Sequence, residues 1–548
     1  MINKIINEIK NQEINISSWI FGFTGIILVR LILESISSPS LDRVAYTDTF
    51  SILHIGLYFL GVTLGTILIF GSFSENYKAS SKYVLFGLPL IWLAPILDIV
   101  LSGGRGYKML YLFDTGKNIL INFLTFFGPS LYRGATIGIR VGIFISLVGL
   151  GYLLWVETKS IKKVLFSTLS IYIFVFIMAS IPGILYTTTH KFSTVNQTDV
   201  VLYFENLTKV STVSHNSIRG GLESVTREQL IEIGFTKILS QIIFIISIII
   251  SSIILYKIDK NKFKAILKNI RIERVNFYTA SLMCGIGFAY INGLGKSIVW
   301  VDAFGFLSLI IAWIALWMYA VHTNDIYDLD IDKISNKNRP LVKMDVTKEE
   351  MRDYGMVWLI IALLGSWCAG FYPFFMALVY ISCSYIYSTP PLRLRRFPLI
   401  PAFLIGVACL ATVFAGFFFV STSKQMDTFP IFLSLGIITM VTLAINFKDI
   451  KDIEGDRAQG ILTIPTLFPT HGVKIVAILF ALSILLVPIF LSFYLLYIFA
   501  IPSSFVSYRI ITKKPYDEKK IFTLRFFFLG AIALSYLFAY WYVGVYNP

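Results

Sequence analysis

The sequence predicts an all-α fold, a polytopic transmembrane helical bundle. Three observations lead there. Hydrophobic residues make up 56% of the 548 positions and charged residues only 14%. The mean hydropathy is +0.74. Apolar runs near or above the roughly 18 residues needed to cross a bilayer recur from end to end. A chain of this length exceeds one small bundle, so two membrane modules in tandem are expected.

The N-terminus reads M-I-N-K-I-I-N-E-I-K-N-Q-E, and its first apolar run starts near Ser17 with no small-residue cleavage site after it, which predicts a retained first span. Spans follow from the apolar runs at 17–36, 51–74, 83–103, 135–156, 164–187 and 236–257. The run Met109 to Phe127 is interrupted by Asp114, Gly116 and Lys117 and reads as re-entrant or interfacial. Residues 188–235 are polar and carry N-Q-T at Asn196 and N-L-T at Asn206, acceptors only in a cell that glycosylates. Arg30 and Glu34, at i and i+4, together with Asp98 and Arg140, are ionisable groups placed within apolar segments; the first two can neutralise each other within one helix. The glycine-rich Ser102–Gly106 lacks the strand and the G-K-[ST] ending of a phosphate loop and reads as a turn.

Lys257 to Arg274 alternates basic residues with Phe263, Ile266, Leu267 and Ile270 at helical spacing, which predicts an amphipathic helix on an anionic leaflet. It marks the boundary between an N-terminal membrane module, residues 1–257, and a second module, residues 258–548. The second module shows about nine spans, near 276–293, 299–321, 353–371, 373–389, 400–421, 430–447, 473–489, 490–508 and 522–544. Its alternate loops collect Lys333, Lys337, Arg339 and Lys343, then Arg393, Arg395 and Arg396, then Lys448, Lys451 and Arg457, then Lys513 to Lys520. By the positive-inside rule that side faces the cytoplasm. These loops also account for much of the net charge of +15, so lipid head groups rather than nucleic acid are the expected anionic partners. The four cysteines show no ligand spacing and read as small packing residues, and the five histidines form no cluster.

The chemistry gathers on the basic side. Asp325, Asp328 and Asp332 stand at i, i+3 and i+7 directly after a span, on one helical face. Four spans later, Asp449, Asp452 and Asp456 repeat that spacing at the end of another span. Matching acidic clusters on one side suggest an internal duplication whose halves face each other. About six carboxylates brought together repel one another and are tolerable only around divalent cations. Hard oxygen ligands favour Mg²⁺, which commonly bridges carboxylates to phosphate oxygens. The expected substrate is a Mg²⁺-bound diphosphate, with Arg339, Lys448 and Arg393 neutralising charge on it. In an otherwise lipid-soluble protein this points to an isoprenyl diphosphate with its tail among the helices, ionised at the allylic C–O bond. Tyr385 and Tyr387 either offer an aromatic face to the carbocation or sit in the interfacial aromatic belt. His322, just before the first cluster, is either a base toward the acceptor or a structural histidine. Asp330 and Glu454 lie off the shared faces and should be solvated.

N-D-I-Y-D-L-D-I-D with N-R-P-L, then Y-S-T-P-P-L-R-L-R, then K-D-I-K-D-I-E-G-D-R-A-Q-G-I-L-T-I-P-T-L, in that order, closely resemble the motifs of the UbiA superfamily of intramembrane prenyltransferases. The resemblance covers roughly residues 260–548 and adds nothing on residues 1–257. It implies a nine-helix, Mg²⁺-dependent prenyltransferase in which Asn324, Asp325, Asp328 and Asp332, with Asp449, Asp452 and Asp456, hold Mg²⁺ and diphosphate. It also implies that Arg339, Lys448 and Arg393 contact phosphate. R-P-L-V-K-M departs from the family pattern, where a glycine often follows the proline. The expected protein is an integral enzyme of the plasma membrane, its site facing the cytoplasm, moving a prenyl group to an acceptor that the sequence does not identify. The rival readings are a terpene cyclase or diphosphate hydrolase of the same superfamily, and a non-enzymatic carrier whose acids would spread along the bilayer depth.

Overall fold

In the computed structural model the described residues are 2–37, 49–104, 111–112, 114–129, 135–190, 200, 203, 207 and 227–546. The sequons at Asn196 and Asn206, most of the polar segment 188–235, and Arg105 and Gly106 of the glycine-rich turn lie outside them. Among the described residues, 13 helices are long and apolar enough to cross a membrane. The protein is an all-helical integral membrane protein. It divides into two compact units, one of residues 1–264 with 297–309 and one of residues 265–296 with 310–548.

The first unit begins with α1 (Ile2–Asn11), followed by α2 (Ile16–Ser37) and α3 (Thr49–Ser74). The span expected at 83–103 runs from 77 to 101 instead. It is built from α4 (Tyr77–Gly87) and α5 (Leu93–Leu101), joined by a 3-10 turn that carries a proline, Pro89, near its start. Asn76 caps α4 by accepting from Ala79 N, 2.9 Å away. Between Met109 and Phe127 the described chain forms only α6 (Lys117–Leu124), whose eight residues extend about 12 Å and cannot cross a bilayer. Next come α7 (Ile137–Thr158), α8 (Ile161–Ala179), α9 (Ile181–Thr189) and α10 (Arg227–Ile258). Three of the intramembrane charges are explained locally. Arg30 and Glu34 form a buried pair at 2.6 Å. Asp98 takes hydrogen bonds from Thr136 Oγ1 (2.6 Å) and Gly138 N (2.9 Å), which satisfies the start of α7.

The amphipathic helix expected over 257–274 is shorter: α11 (Lys260–Lys268) is followed by a turn in which Arg271, directly before the next helix, adopts a left-handed φ of 55°. That turn carries Asn269 and Arg271 away from the lipid-facing role their spacing suggested. Nine long helices follow: α12 (Ile272–Ile291), α13 (Asp302–Tyr327), whose first residues belong to the first unit, α15 (Lys348–Ala369), α16 (Phe371–Ser388), α17 (Ile400–Val420), α18 (Ile431–Ala444), α21 (Gly472–Phe490), α22 (Tyr497–Thr512) and α23 (Glu518–Tyr546); all but α12 and α15 are among the helices long and apolar enough to cross a membrane. Short helices α14 (Leu329–Ser335), α19 (Ile453–Ala458) and α20 (Ile464–Leu467) lie between them. The capping box of Thr347 and Glu350 starts α15. α12 and α17 touch backbone to backbone: a methyl on Gly285 would lie 1.9 Å from Val413 O, and one on Gly416 2.1 Å from Leu282 O. Small residues at a crossing permit this approach where lipid provides no hydrophobic drive.

Candidate active site

Asn324, Asp325 and Asp328 stand at the end of α13, and Asp332 follows in α14. The helix breaks at Asp328, yet the backbone bonds Asp328 N to Asn324 O and Asp332 N to Asp328 O, both 2.9 Å, keep the register, so the i, i+3, i+7 face survives the break. The second cluster is built the same way from different parts. α18 tightens into a 3-10 turn over Ile445–Ile450 that carries Asp449, and Asp452 then stands directly before α19, which carries Asp456. The segments meet. Asn336 Nδ2 donates to Asp332 (3.0 Å) and across to Asp452 (3.1 Å), and α14 packs on α19 at Gly455.

Asp325, Asp328, Asp332 and Asp456 are each at most 2% exposed, and arginines answer their charge. Arg339 bridges Asp325 and Asp332, Arg395 bridges Asp328 and Asp456, Arg271 reaches Asp325 at 3.1 Å and Arg393 reaches Asp328 at 3.1 Å. The idea that the carboxylates are tolerable only around divalent cations therefore needs correction. Guanidinium groups hold them in the structure described here, because each planar fork can serve two acids at once. Burial still dominates at two of them, pushing Asp332 up to about 7 and Asp456 up to about 6.

Beside the clusters lies a cavity of about 360 Å³. Asn324, Arg339, Arg395, Lys448, Asp449 and Asp452 contribute its polar lining, and Trp317, Tyr278, Tyr380, Leu404 and Phe522 its apolar lining. Trp317 and Tyr380 each precede a polar lining residue of their own helix, Asn324 and Tyr387, by two turns, so the apolar part extends about 10 Å into the span from the charged end.

The model of the UbiA prenyltransferase family matches residues 282–532. This part of the chain is similar to the UbiA prenyltransferase family. Naringenin 8-dimethylallyltransferase 2 of Sophora flavescens is 30% identical over 169 residues, 29% of this chain and 41% of that protein. Chlorophyll synthase of Arabidopsis thaliana is 28% identical over 165 residues, 28% of this chain and 42% of that protein. The chain thus spans about two fifths of the length of these curated relatives. A solved UbiA homolog from Archaeoglobus fulgidus bound to GPP and Mg²⁺ is 18% identical, with a TM-score of 0.41, over 50% of this chain and 98% of that one.

Within the second unit, the residues singled out from the sequence fall in three places. Asn324, Asp332, Arg339, Tyr387, Lys448, Asp449 and Asp452 line the cavity. Asp325, Asp328, Asp456 and Arg393 are tied to that lining through the ion pairs above and through Asn324, which donates to Asp328. Tyr385 points elsewhere and is half exposed, whereas Tyr387 places its hydroxyl 2.7 Å from Lys448 Nζ. His322 is not part of the lining; it is fully buried with Nδ1 2.7 Å from Met318 O, a structural setting. Asp330 is exposed and pairs with Lys333, and Glu454 is exposed.

Several site residues escaped the sequence reading. Arg395 lay two positions from Arg393 in the same basic run, a signal that was present and read only as orientation. Asn269 and Arg271 were hidden in the amphipathic pattern, although Asn269 Nδ2 donates to Asp325 at 2.8 Å. Arg274 and Lys451 converge on Glu518 from three distant segments, which no local spacing announces.

Among the described residues no three His, Cys, Asp or Glu side chains stand close enough to hold a metal ion as they are. The donor chemistry nonetheless suits a hard divalent cation. Six carboxylates lie on two segments cross-linked at 3.1 Å, and the buried Oδ2 of Asp456 has no hydrogen-bond partner among the described residues. Turning Arg339 and Arg395 toward an anion would release Asp332 and Asp456 from their guanidinium partners and leave Asp325 and Asp328 with Arg271 and Arg393 alone.

Proposed function

We propose that residues 258–548 form a Mg²⁺-dependent enzyme that transfers a prenyl group from an isoprenyl diphosphate to a lipophilic or aromatic acceptor within the membrane, the site facing the cytoplasmic side of the plasma membrane. Residues 1–257 are proposed as a separate membrane module. One observation carries the reading: two cross-linked acidic segments and their arginines adjoin an aromatic cavity that runs into the span. The family match and the dimethylallyltransferase name of one relative support the donor class.

Asp325, Asp328, Asp332, Asp449, Asp452 and Asp456, with Asn324, would hold Mg²⁺, which supplies positive charge to the diphosphate oxygens. The chain's own groups account for the rest. Arg339, Arg393, Arg395 and Lys448 bind and orient the diphosphate. When the allylic C–O bond breaks, its electron pair passes to the diphosphate, and these fixed cations stabilise the added charge without reorganising. Tyr278, Trp317, Tyr380 and Tyr387 present aromatic rings to the carbocation and exclude water from it. The acceptor then forms the new bond to the allylic carbon and releases its proton.

Diphosphate release from a panel of isoprenyl diphosphates, measured on the protein in lipid with and without Mg²⁺, tests this. Release coupled to a prenylated product, lost in Asp328→Ala and Asp452→Ala, is expected when membrane extract supplies the acceptor. Release without a prenylated product would replace transfer by cyclisation or hydrolysis. No release or binding at all would overturn the reading in favour of a carrier.

A further inference from the structure

The first unit encloses a second cavity, of about 490 Å³, between α3, α4, α7, α8 and α10. That is within the range, roughly 300–1,000 Å³, of pockets that enclose small molecules. Its walls are almost wholly apolar, and the one charged side chain among the described lining residues, Arg30, is neutralised by Glu34. Three polar atoms break the pattern. His54 Nδ1, Thr63 Oγ1 and Tyr111 Oη are buried and have no hydrogen-bond partner among the described residues, and all three side chains line the cavity. His54 is 6% exposed and Thr63 2%. Packing alone does not account for them. Thr66, on the same helix, satisfies its hydroxyl on Val62 O at 2.8 Å, whereas Thr63 forgoes the equivalent bond. Each such group left dry forgoes the hydrogen bonds it makes to water in the unfolded chain, so three sharing one void are a feature to be explained.

Around them the rings form a panel. His54 and Tyr111 have centroids 5.3 Å apart, Tyr58 meets Tyr111 edge-on at 5.7 Å, and Phe235 meets it edge-on at 6.0 Å. We propose that this cavity binds an uncharged lipophilic phenol, a hydroxylated aromatic ring carrying an apolar chain, its hydroxyl among His54, Thr63 and Tyr111 and its ring against the aromatic panel. A hydroxyl both donates and accepts, which matches one imidazole nitrogen and two hydroxyls. A carboxylate or a cation would enter a space with no net charge to meet it. The inference is independent of the chemistry assigned to the second unit.

The test uses the full-length protein in lipid nanodiscs and a 4-alkylphenol carrying a photoreactive diazirine and an alkyne handle. Saturable labelling of peptides from α3 and α7 is expected. Excess 4-hexylphenol should displace it at a concentration at least 10-fold lower than hexylbenzene. His54→Phe and Thr63→Val should each weaken that displacement about 5-fold to 10-fold. Gly142→Leu should abolish labelling by filling the cavity, since a methyl there meets nothing nearer than Leu90 O at 4.0 Å. Equal displacement by phenol and benzene, or labelling spread over lipid-facing residues such as Leu28 and Phe144, would overturn the proposal. The wild-type displacement pattern decides the question even if a variant fails to fold.

Discussion

Gly455 is where the two acidic segments are held in register, and adding one methyl there should separate them. A β-carbon on Gly455 would lie 2.6 Å from Ser335 Oγ, 2.8 Å from Ile331 Cγ2 and 3.2 Å from Ile331 O. Ordinary carbon contacts sit near 3.5–4.0 Å, so α14 and α19 must move apart by about 1 Å. Ile331 is 1% exposed and has no free direction to yield. The same displacement stretches the 3.1 Å bond from Asn336 to Asp452 beyond hydrogen-bonding range. Overpacking of this kind costs about 1–3 kcal/mol, and a 1 Å misplacement of reacting groups costs about 100-fold in rate.

Gly455→Ala should therefore lower diphosphate release by about 10-fold to 100-fold. It should weaken Mn²⁺ binding, read by electron paramagnetic resonance, by about 10-fold. Ser335→Ala removes the nearest obstructing atom, whose hydroxyl has no partner among the described residues. Alone it should be nearly silent; combined with Gly455→Ala it should recover part of the loss. Wild-type release and Mn²⁺ affinity in Gly455→Ala, or a double variant no better than the single one, would refute the claim that the site is assembled across this contact.

Four further outcomes are expected. Arg395→Met strands Asp456, leaves Asp328 to Arg393 alone, and should cost about 3 kcal/mol or more without metal; millimolar Mg²⁺ should restore much of the melting temperature. Because Asp332 and Asp456 titrate at about 7 and about 6, well above ordinary aspartate, the folded protein binds more protons than the unfolded chain between about pH 4 and 7. Metal-free stability should accordingly fall as pH rises through that window, and Mg²⁺ should flatten the slope; thermal melts with and without chelator check both. Tyr387→Phe removes the hydroxyl that Lys448 reaches at 2.7 Å and should raise the KM for isoprenyl diphosphate several-fold with a smaller change in kcat. His322→Gln should leave the pH profile of turnover unchanged, since that side chain does not line the cavity.

The spans of the second unit were legible because hydropathy and loop charge report the bilayer directly, and the acidic faces because i, i+3, i+7 is a local spacing. What the sequence withheld was of another kind. The break at Asp328 and the 3-10 turn at Ile445–Ile450 leave the register intact while changing the element, so periodicity alone passes over both. Arg271 was misread because a basic residue beside apolar ones suits a lipid surface as well as a buried acid. Only the left-handed turn that precedes α12 distinguishes the two. The glycine of Gly455 carries no composition signal, since its function lies in what Ile331 and Ser335 leave no room for.

The mixed charge of the site has a consequence for how a substrate enters. Four carboxylates are held by Arg339 and Arg395, each arginine spanning two of them. A cation alone must displace a guanidinium that then has no partner in a low-dielectric setting, which is costly. A diphosphate alone can draw the arginines away only by stranding Asp332 and Asp456. Entering together, the cation takes the acids and the anion takes the arginines, and every charge keeps a partner. Cation and diphosphate should therefore bind with positive coupling, each tightening the other by the same factor. Titration of Mn²⁺ at rising concentrations of inorganic diphosphate measures that factor once their complexation in solution is subtracted. Independent binding would show that the arginines do not have to move.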